Sequence, residues 1–195
     1  MKEPDILSVA LRVIDALESM SVPYVVGGSL ASIVHGTVRS TMDVDVVADI
    51  KSDQVDRFLS LLKDDFYFDE SAAQRAIMKQ SNFNLIHLDT MFKVDLFIPK
   101  DRVFDSLQLA RRVGVKLNPD SQSTIWVLSA EDTILIKLEW FKLGGEISER
   151  QWLDILGVMQ NQRATLDLGY LEESAELLNV EDLLKRAFDE TGVRH

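Results

Sequence analysis

Asp43 and Asp45 stand one residue apart in Met42-Asp43-Val44-Asp45-Val46, and a third aspartate, Asp95, sits in Lys93-Val94-Asp95-Leu96-Phe97. Side chains along a strand alternate between faces, so Asp43 and Asp45 share one face while the valines take the other. Two carboxylates so placed offer the oxygen ligands that Mg2+ and Mn2+ prefer. Without a cation, such like charges repel and raise each other's pKa values. Asp95 lies in a strand otherwise fit for a core, where aspartate is rarely buried without a partner. Beside the other two it completes a triad able to carry two cations. Taken singly, each has a plainer reading: the Asp-Val-Asp run as the exposed face of an edge strand, and Asp95 as a surface residue.

A second feature precedes the first along the chain. Gly27-Gly28-Ser29 follows the β-prone run Tyr24-Val25-Val26 and opens a short helix. Glycines there let backbone approach a ligand, and the amides opening the helix can meet a phosphate oxygen. The plain alternative is a tight turn with a serine cap. Arg39 and Thr41 sit just before the carboxylate strand, Arg39 able to meet an anionic oxygen and Thr41 to orient the strand by hydrogen bonding. Lys137 lies on a helix apolar on nearly every side, among Ile134, Leu135, Ile136, Leu138, Trp140 and Phe141, so it must snorkel outward or point into a polar cleft. Arg150 and Asp154 are four apart on one helix, which by itself reads as a surface ion pair of little energetic weight. His35 closes a helix rather than doing acid–base work, and His87 and His195 have no supporting arrangement.

These residues need elements to hold them. Apolar periodicity predicts a helix over 5–20, a strand over 24–26, a short helix over 29–35 closed by Gly36, and a strand over 43–47. A helix over 51–63 and a short strand near 66–68 follow, and 70–80 is ambiguous. Strands are expected over 83–88 and 92–98, a helix over 101–109, and β-prone pieces at 113–117 and 125–128 around a polar turn at 118–123. Ser129 caps a helix that reaches about Leu143, Asp132 standing as the acidic half of a capping box. Ser148 caps another to Gln160, and two shorter helices start near Glu172 and Val180. Everything before Pro99 mixes strands with helices, everything after Ser129 is helical, and no low-complexity linker or repeat separates them.

The 195 residues carry 21 Lys+Arg against 32 Asp+Glu, a formal net charge of −11, and no cysteine. That balance opposes a protein that coats nucleic acid, which needs a positive footprint, yet leaves room for an enzyme that takes one nucleotide into a local metal site. The absent cysteines exclude disulfides and thiolate metal sites. The acidic N-terminal stretch is unlike a secretory leader or transit peptide, no apolar stretch is long enough to span a bilayer, and the cytoplasm is the expected location.

Together the separated motifs carry a resemblance. Val26-Gly27-Gly28-Ser29, then Thr41-Met42-Asp43-Val44-Asp45, then Val94-Asp95-Leu96 resembles the nucleotidyltransferase superfamily that includes DNA polymerase beta, over roughly residues 20 to 100. The resemblance implies an α+β fold, a mixed β-sheet flanked by helices. Its catalytic domain would span 1–128, with a helical lobe over 129–195 packed against it. It implies Mg2+ or Mn2+ on Asp43, Asp45 and Asp95, with a nucleoside triphosphate met by Gly27, Gly28, Ser29, Arg39 and Thr41. The run Ser129-Ala130-Glu131-Asp132-Thr133-Ile134-Leu135-Ile136-Lys137-Leu138, with Arg150 and Asp154 beyond it, looks like the helical half of abortive-infection toxin nucleotidyltransferases. By that likeness Lys137 and Asp154 face the nucleotide, the acceptor is a transfer RNA end, and an antitoxin protein is a partner. A small molecule such as a cationic aminoglycoside, or a protein side chain, fits the same metal site. The alternative is a non-catalytic nucleotide-binding or protein-interaction module that keeps the fold.

Overall fold

The computed structural model describes residues 5–37, 41–116 and 124–193. The chain opens with α1 (Ile6–Ser19), whose Asp5 carboxylate accepts the Ser8 amide at 2.9 Å as an N-cap. There follow β1 (Tyr24–Val26), α2 (Gly28–Val34), β2 (Asp43–Ala48), α3 (Val55–Leu62), β3 (Phe66–Tyr67), α4 (Glu70–Met78), β4 (Asn82–His87) and β5 (Lys93–Phe97). Then come α5 (Val103–Arg111), β6 (Val113–Lys116), β7 (Thr124–Val127), α6 (Ala130–Leu143), α7 (Glu149–Gln162), α8 (Leu168–Leu178) and α9 (Glu181–Thr191). The expected turn at 118–123 lies outside the described residues.

The strands form one mixed sheet in the order β3-β4-β5-β2-β1-β7-β6. β2 runs antiparallel to β1 but parallel to β5, with β3 and β4 between them in the chain. Alternation then sorts the side chains. Val44, Val46, Val94 and Leu96 are all fully buried and join one core with Val13 and Leu17 of α1, Phe58 and Leu62 of α3, and Ala73 of α4. Each large apolar side chain so buried contributes roughly 1.5–3 kcal/mol, which pins the register of β2 and β5. A second core lies among α6 to α9, built from Ile134, Leu138, Trp152, Ile155, Leu171 and Leu184. The fold is therefore α+β, a central mixed sheet flanked by helices with a helical lobe after it. No helix among the described residues is long and apolar enough to cross a membrane.

Three expectations differ. α3 begins at Val55, four residues after the expected start, because 51–54 form a turn in which the Lys51 amide donates to Gln54 Oε1 at 2.9 Å. The ambiguous stretch at 70–80 is a helix because Asp69 caps it, accepting the Ala72 amide at 2.9 Å. α8 begins at Leu168, four residues ahead of the expected start, because Asp167 caps it through the Tyr170 amide at 3.0 Å.

The helical lobe is tied to the sheet at the far end of α2. The His35 ring Nε2 lies 2.7 Å from the Leu128 carbonyl; a carbonyl only accepts, so Nε2 carries the proton. From α7, Gln162 donates to the His35 carbonyl at 3.3 Å and Asn161 to the Gly36 carbonyl at 3.1 Å. His35 is thus a buried helix-end ligand to backbone, as expected from its place before Gly36.

Candidate active site

The parallel pairing of β2 with β5 sets Asp45 directly against Asp95 and Asp43 against Lys93. One more strand over, Asn84 of β4 is the partner of Asp95. By alternation all of these belong to the sheet face opposite the valine core. The topology thus brings Asp95 beside the Asp43–Asp45 pair, from which it is far apart in sequence.

Gly28 packs against this face at Asp45. Its φ of +56° is the left-handed region, and a Cβ built there would fall 1.7 Å from Asp45 Oδ2 and 2.6 Å from Asp45 Cγ. Only glycine admits that approach. The Gly27 amide also donates to the Asp45 carbonyl at 2.8 Å, so the glycine turn is fastened to β2 by backbone as well as by fit. Ser29 follows in the first turn of α2. At the start of β2, the Thr41 hydroxyl donates to the Asp43 carbonyl at 2.9 Å, the strand-end bonding its position suggested. Arg39 lies outside the described residues.

Electrostatically the face is crowded. The Asp45 carboxyl is pushed up to about 6, first by burial and then by the charge of Asp95, with Lys137 pulling the other way and Asp43 adding to the rise. Lys137 reaches this charge from α6. It does not snorkel outward: its ammonium donates to Asp154 Oδ2 of α7 at 2.8 Å, with both side chains about nine-tenths buried. Asp154 therefore faces inward, and a surface pair with Arg150 is not what holds it. A helix face that packs on both sides, as α7 does against α6 and α9, turns a residue at this position toward the interior.

Lys93 is the residue that sequence reasoning left out of the site. Its ammonium lies 2.9 Å from Asp95 Oδ2 and 4.0 Å from Asp43 Oδ1, and these carboxylates raise its pKa. The signal was present, since Lys93 is two residues before Asp95 and so shares its face. Asn84 could be found only from the strand pairing.

Among the described residues, no group of three or more His, Asp or Glu side chains is placed so as to hold a metal ion. The donor chemistry nonetheless fits a divalent cation. The three aspartates offer only carboxylate oxygens, burial and then their mutual charge raise the pKa of Asp45, and the Lys93 ammonium lies against Asp95 with Asp43 at 4.0 Å. A cleft of about 340 Å³ at the opposite ends of β2 and β5, lined by Asp49, Lys51, Ile98, Lys100 and Asp101, shares none of these residues.

This arrangement is the fold of the nucleotidyltransferase superfamily. A family model described as aminoglycoside-2''-adenylyltransferase matches residues 9–96, short of half the chain but containing the glycine turn and all three aspartates. The match supports enzymatic nucleotidyltransferase activity. Among solved structures, the chain is similar to an antigenic nucleotidyltransferase-like protein from Paracoccidioides brasiliensis, with a TM-score of 0.53 at 15% identity over 92% of this chain and 91% of that one. It is similar to the antibiotic-resistance factor ANT(2'')-Ia in solution, with a TM-score of 0.52 at 11% identity and 97% of each chain covered. The crystal structure of ANT(2'')-Ia in complex with adenylyl-2''-tobramycin gives a TM-score of 0.52 at 10% identity, over 89% of this chain and 96% of that one. No curated protein matches the chain by sequence.

Proposed function

We propose that this protein transfers a nucleoside monophosphate from a nucleoside triphosphate to an acceptor hydroxyl, using Mg2+ or Mn2+ held by Asp43, Asp45 and Asp95. The observation that carries the reading is the β2–β5 register, which sets Asp45 beside Asp95 with Gly28 pressed against the Asp45 carboxylate. The acceptor oxygen attacks the α-phosphorus, the bond to the bridging oxygen breaks, and pyrophosphate leaves. Bound divalent cations supply Lewis acidity to the phosphates and lower the pKa of the attacking hydroxyl. The chain does the positioning. Gly27 and Gly28 let the triphosphate approach backbone, and the Ser29 hydroxyl donates to its oxygens. Thr41 flanks it from just before β2, and Arg39 is assigned to its oxygens from the sequence alone. Lys137, held in place by Asp154, offers fixed positive charge near Asp45 against the negative charge that grows on the phosphates.

The acceptor that fits this surface is a small cationic molecule with a free hydroxyl. A net charge of −11 and a carboxylate-lined face attract cations and repel a polyanion. The likeness to ANT(2'')-Ia, one of whose structures holds adenylyl-2''-tobramycin, supports the same choice. A transfer RNA end, with an antitoxin partner in the cytoplasm, is the second reading, favoured by the sequence likeness around Lys137 and Asp154.

The test is transfer of label from a panel of α-labelled nucleoside triphosphates in Mg2+ or Mn2+, with cationic aminocyclitol sugars, total RNA and total protein as parallel acceptors. Label is expected in the small-molecule pool, and the Asp45→Asn variant should lose it by about 100-fold or more while remaining folded. Label in RNA alone would move the reading to a nucleic-acid end. No label in any pool, or an Asp45→Asn variant as active as the parent, would overturn it.

A further inference from the structure

The site contains two lysines held in opposite ways. Lys137 is sealed between α6 and α7 and bound to Asp154, so its charge cannot leave. Lys93 is about two-fifths exposed, stands at the first position of β5, and lays its ammonium on Asp95, with Asp43 just beyond. Its four-carbon stem can swing into solvent without disturbing the strand, because the backbone pairing of Lys93 with Asp43 does not involve the side chain. An ion pair whose ammonium is this exposed is weakly held on the lysine side.

We propose that Lys93 is the resident counter-ion of the carboxylate face, neutralising Asp95 and Asp43 in the cation-free protein and competing with the divalent cation for them. The inference rests on the metal-site reading above. A compact ammonium and a divalent cation both seek the same carboxylate oxygens, and the face cannot satisfy both at once. Cation entry then requires Lys93 to withdraw from Asp95. The lysine keeps the three aspartates from repelling one another while the site is empty of cation, and it raises the concentration of free cation at which the site fills. Lys93 is a positioning residue in this account, acting through Asp95 and Asp43.

The experiment is Mn2+ binding without nucleotide, read from the free-Mn2+ electron paramagnetic resonance signal, on the parent protein and the Lys93→Gln, Lys93→Arg and Asp45→Asn variants. Thermal unfolding of each in chelator runs alongside. Lys93→Gln should bind Mn2+ about tenfold more tightly, since one positive charge beside the ligands is gone, and should melt at a lower temperature in chelator. Lys93→Arg, which keeps the charge, should behave like the parent. A folded Lys93→Gln that binds Mn2+ no more tightly than the parent, while Asp45→Asn binds none, would overturn the counter-ion role and leave the metal site standing. Mn2+ binding that Asp45→Asn leaves unchanged, or no binding by parent and Lys93→Gln alike, would remove the metal site and this role with it.

Discussion

Asp45 and Asp132 are carboxylates whose pKa values are raised chiefly by burial, yet they sit in regions of opposite design. Around Asp45 the next largest influence is another carboxylate, Asp95, and among the described residues Lys137 and Lys93 temper it. Around Asp132, fully buried at the start of α6, a hydroxyl answers the charge: Tyr170 of α8 donates to Oδ1 at 2.6 Å. Arg111 of α5 lies over the Tyr170 ring at 3.7 Å, and Ser129 accepts the Asp132 amide at 3.0 Å. One oxygen of Asp132 finds no partner among the described residues. The difference separates two uses of a buried acid. A carboxylate held by donors docks one helix on another, whereas carboxylates crowded against each other leave an electrostatic demand that something from outside can meet.

The largest effect that would test this contrast comes from Gly28→Ala. An added methyl must displace the Asp45 carboxylate and forces a non-glycine residue into left-handed backbone, a strain of about 1–2 kcal/mol. Nucleotidyl transfer should fall by about 100-fold or more while circular dichroism still shows a folded chain. Full activity in that variant would mean that Asp45 does not need its present place. Lys137→Met should come next. It removes the ammonium from Asp154 inside the protein and should cost about 3 kcal/mol in chemical denaturation. Pairing it with Asp154→Leu should recover much of the stability and none of the transfer; if both return together, Lys137 is a packing residue like those around Asp132.

The smallest effect is expected at Asp132 itself. Its folded-state pKa is raised, so the folded chain holds that proton more tightly than the unfolded one. The associated stability is full below the unfolded carboxylate value of 3.8 and is lost as pH rises through the folded value. Asp132→Asn cannot ionise. Its melting temperature relative to the parent should therefore climb as pH rises from about 4 toward neutrality, by the equivalent of about 1 kcal/mol or less. A difference that stays flat across that range would mean Asp132 titrates as it would in water, and the contrast with Asp45 would narrow.

Much of the catalytic face could be read from residues that lie close in sequence. The alternation of Asp43 with Val44 and Asp45 with Val46 gave the face, the core side and the strand, and Gly28 was marked as a close-approach position before its neighbour was known. What could not be read was the neighbour. β5 joins β2 in parallel across an intervening helix–strand–helix–strand stretch, and no local pattern announces which strand a given strand will pair with. Asp95 was therefore a conjecture until the pairing set it against Asp45. Asp154 drew two opposed readings: its four-residue spacing to Arg150 suggests the surface, the family likeness turns it toward a nucleotide, and packing of α7 against two helices buries it. The start of α8 was hidden by Gly169, whose poor helix propensity obscured the cap at Asp167.

The shared alternation of β2 and β5 has a bearing on how this site can vary over generations. The frame that points valines into the core is the frame that points aspartates to the other face of the sheet, so insertion or deletion of one residue within β2 would reverse both together. Such a change would bury two carboxylates and expose the valines, and the chain would fail to fold rather than fold with a weakened site. Chains that lose the chemistry yet persist would have to do so by single substitutions at the acids, leaving the valine ladder as the record of what stood across from it.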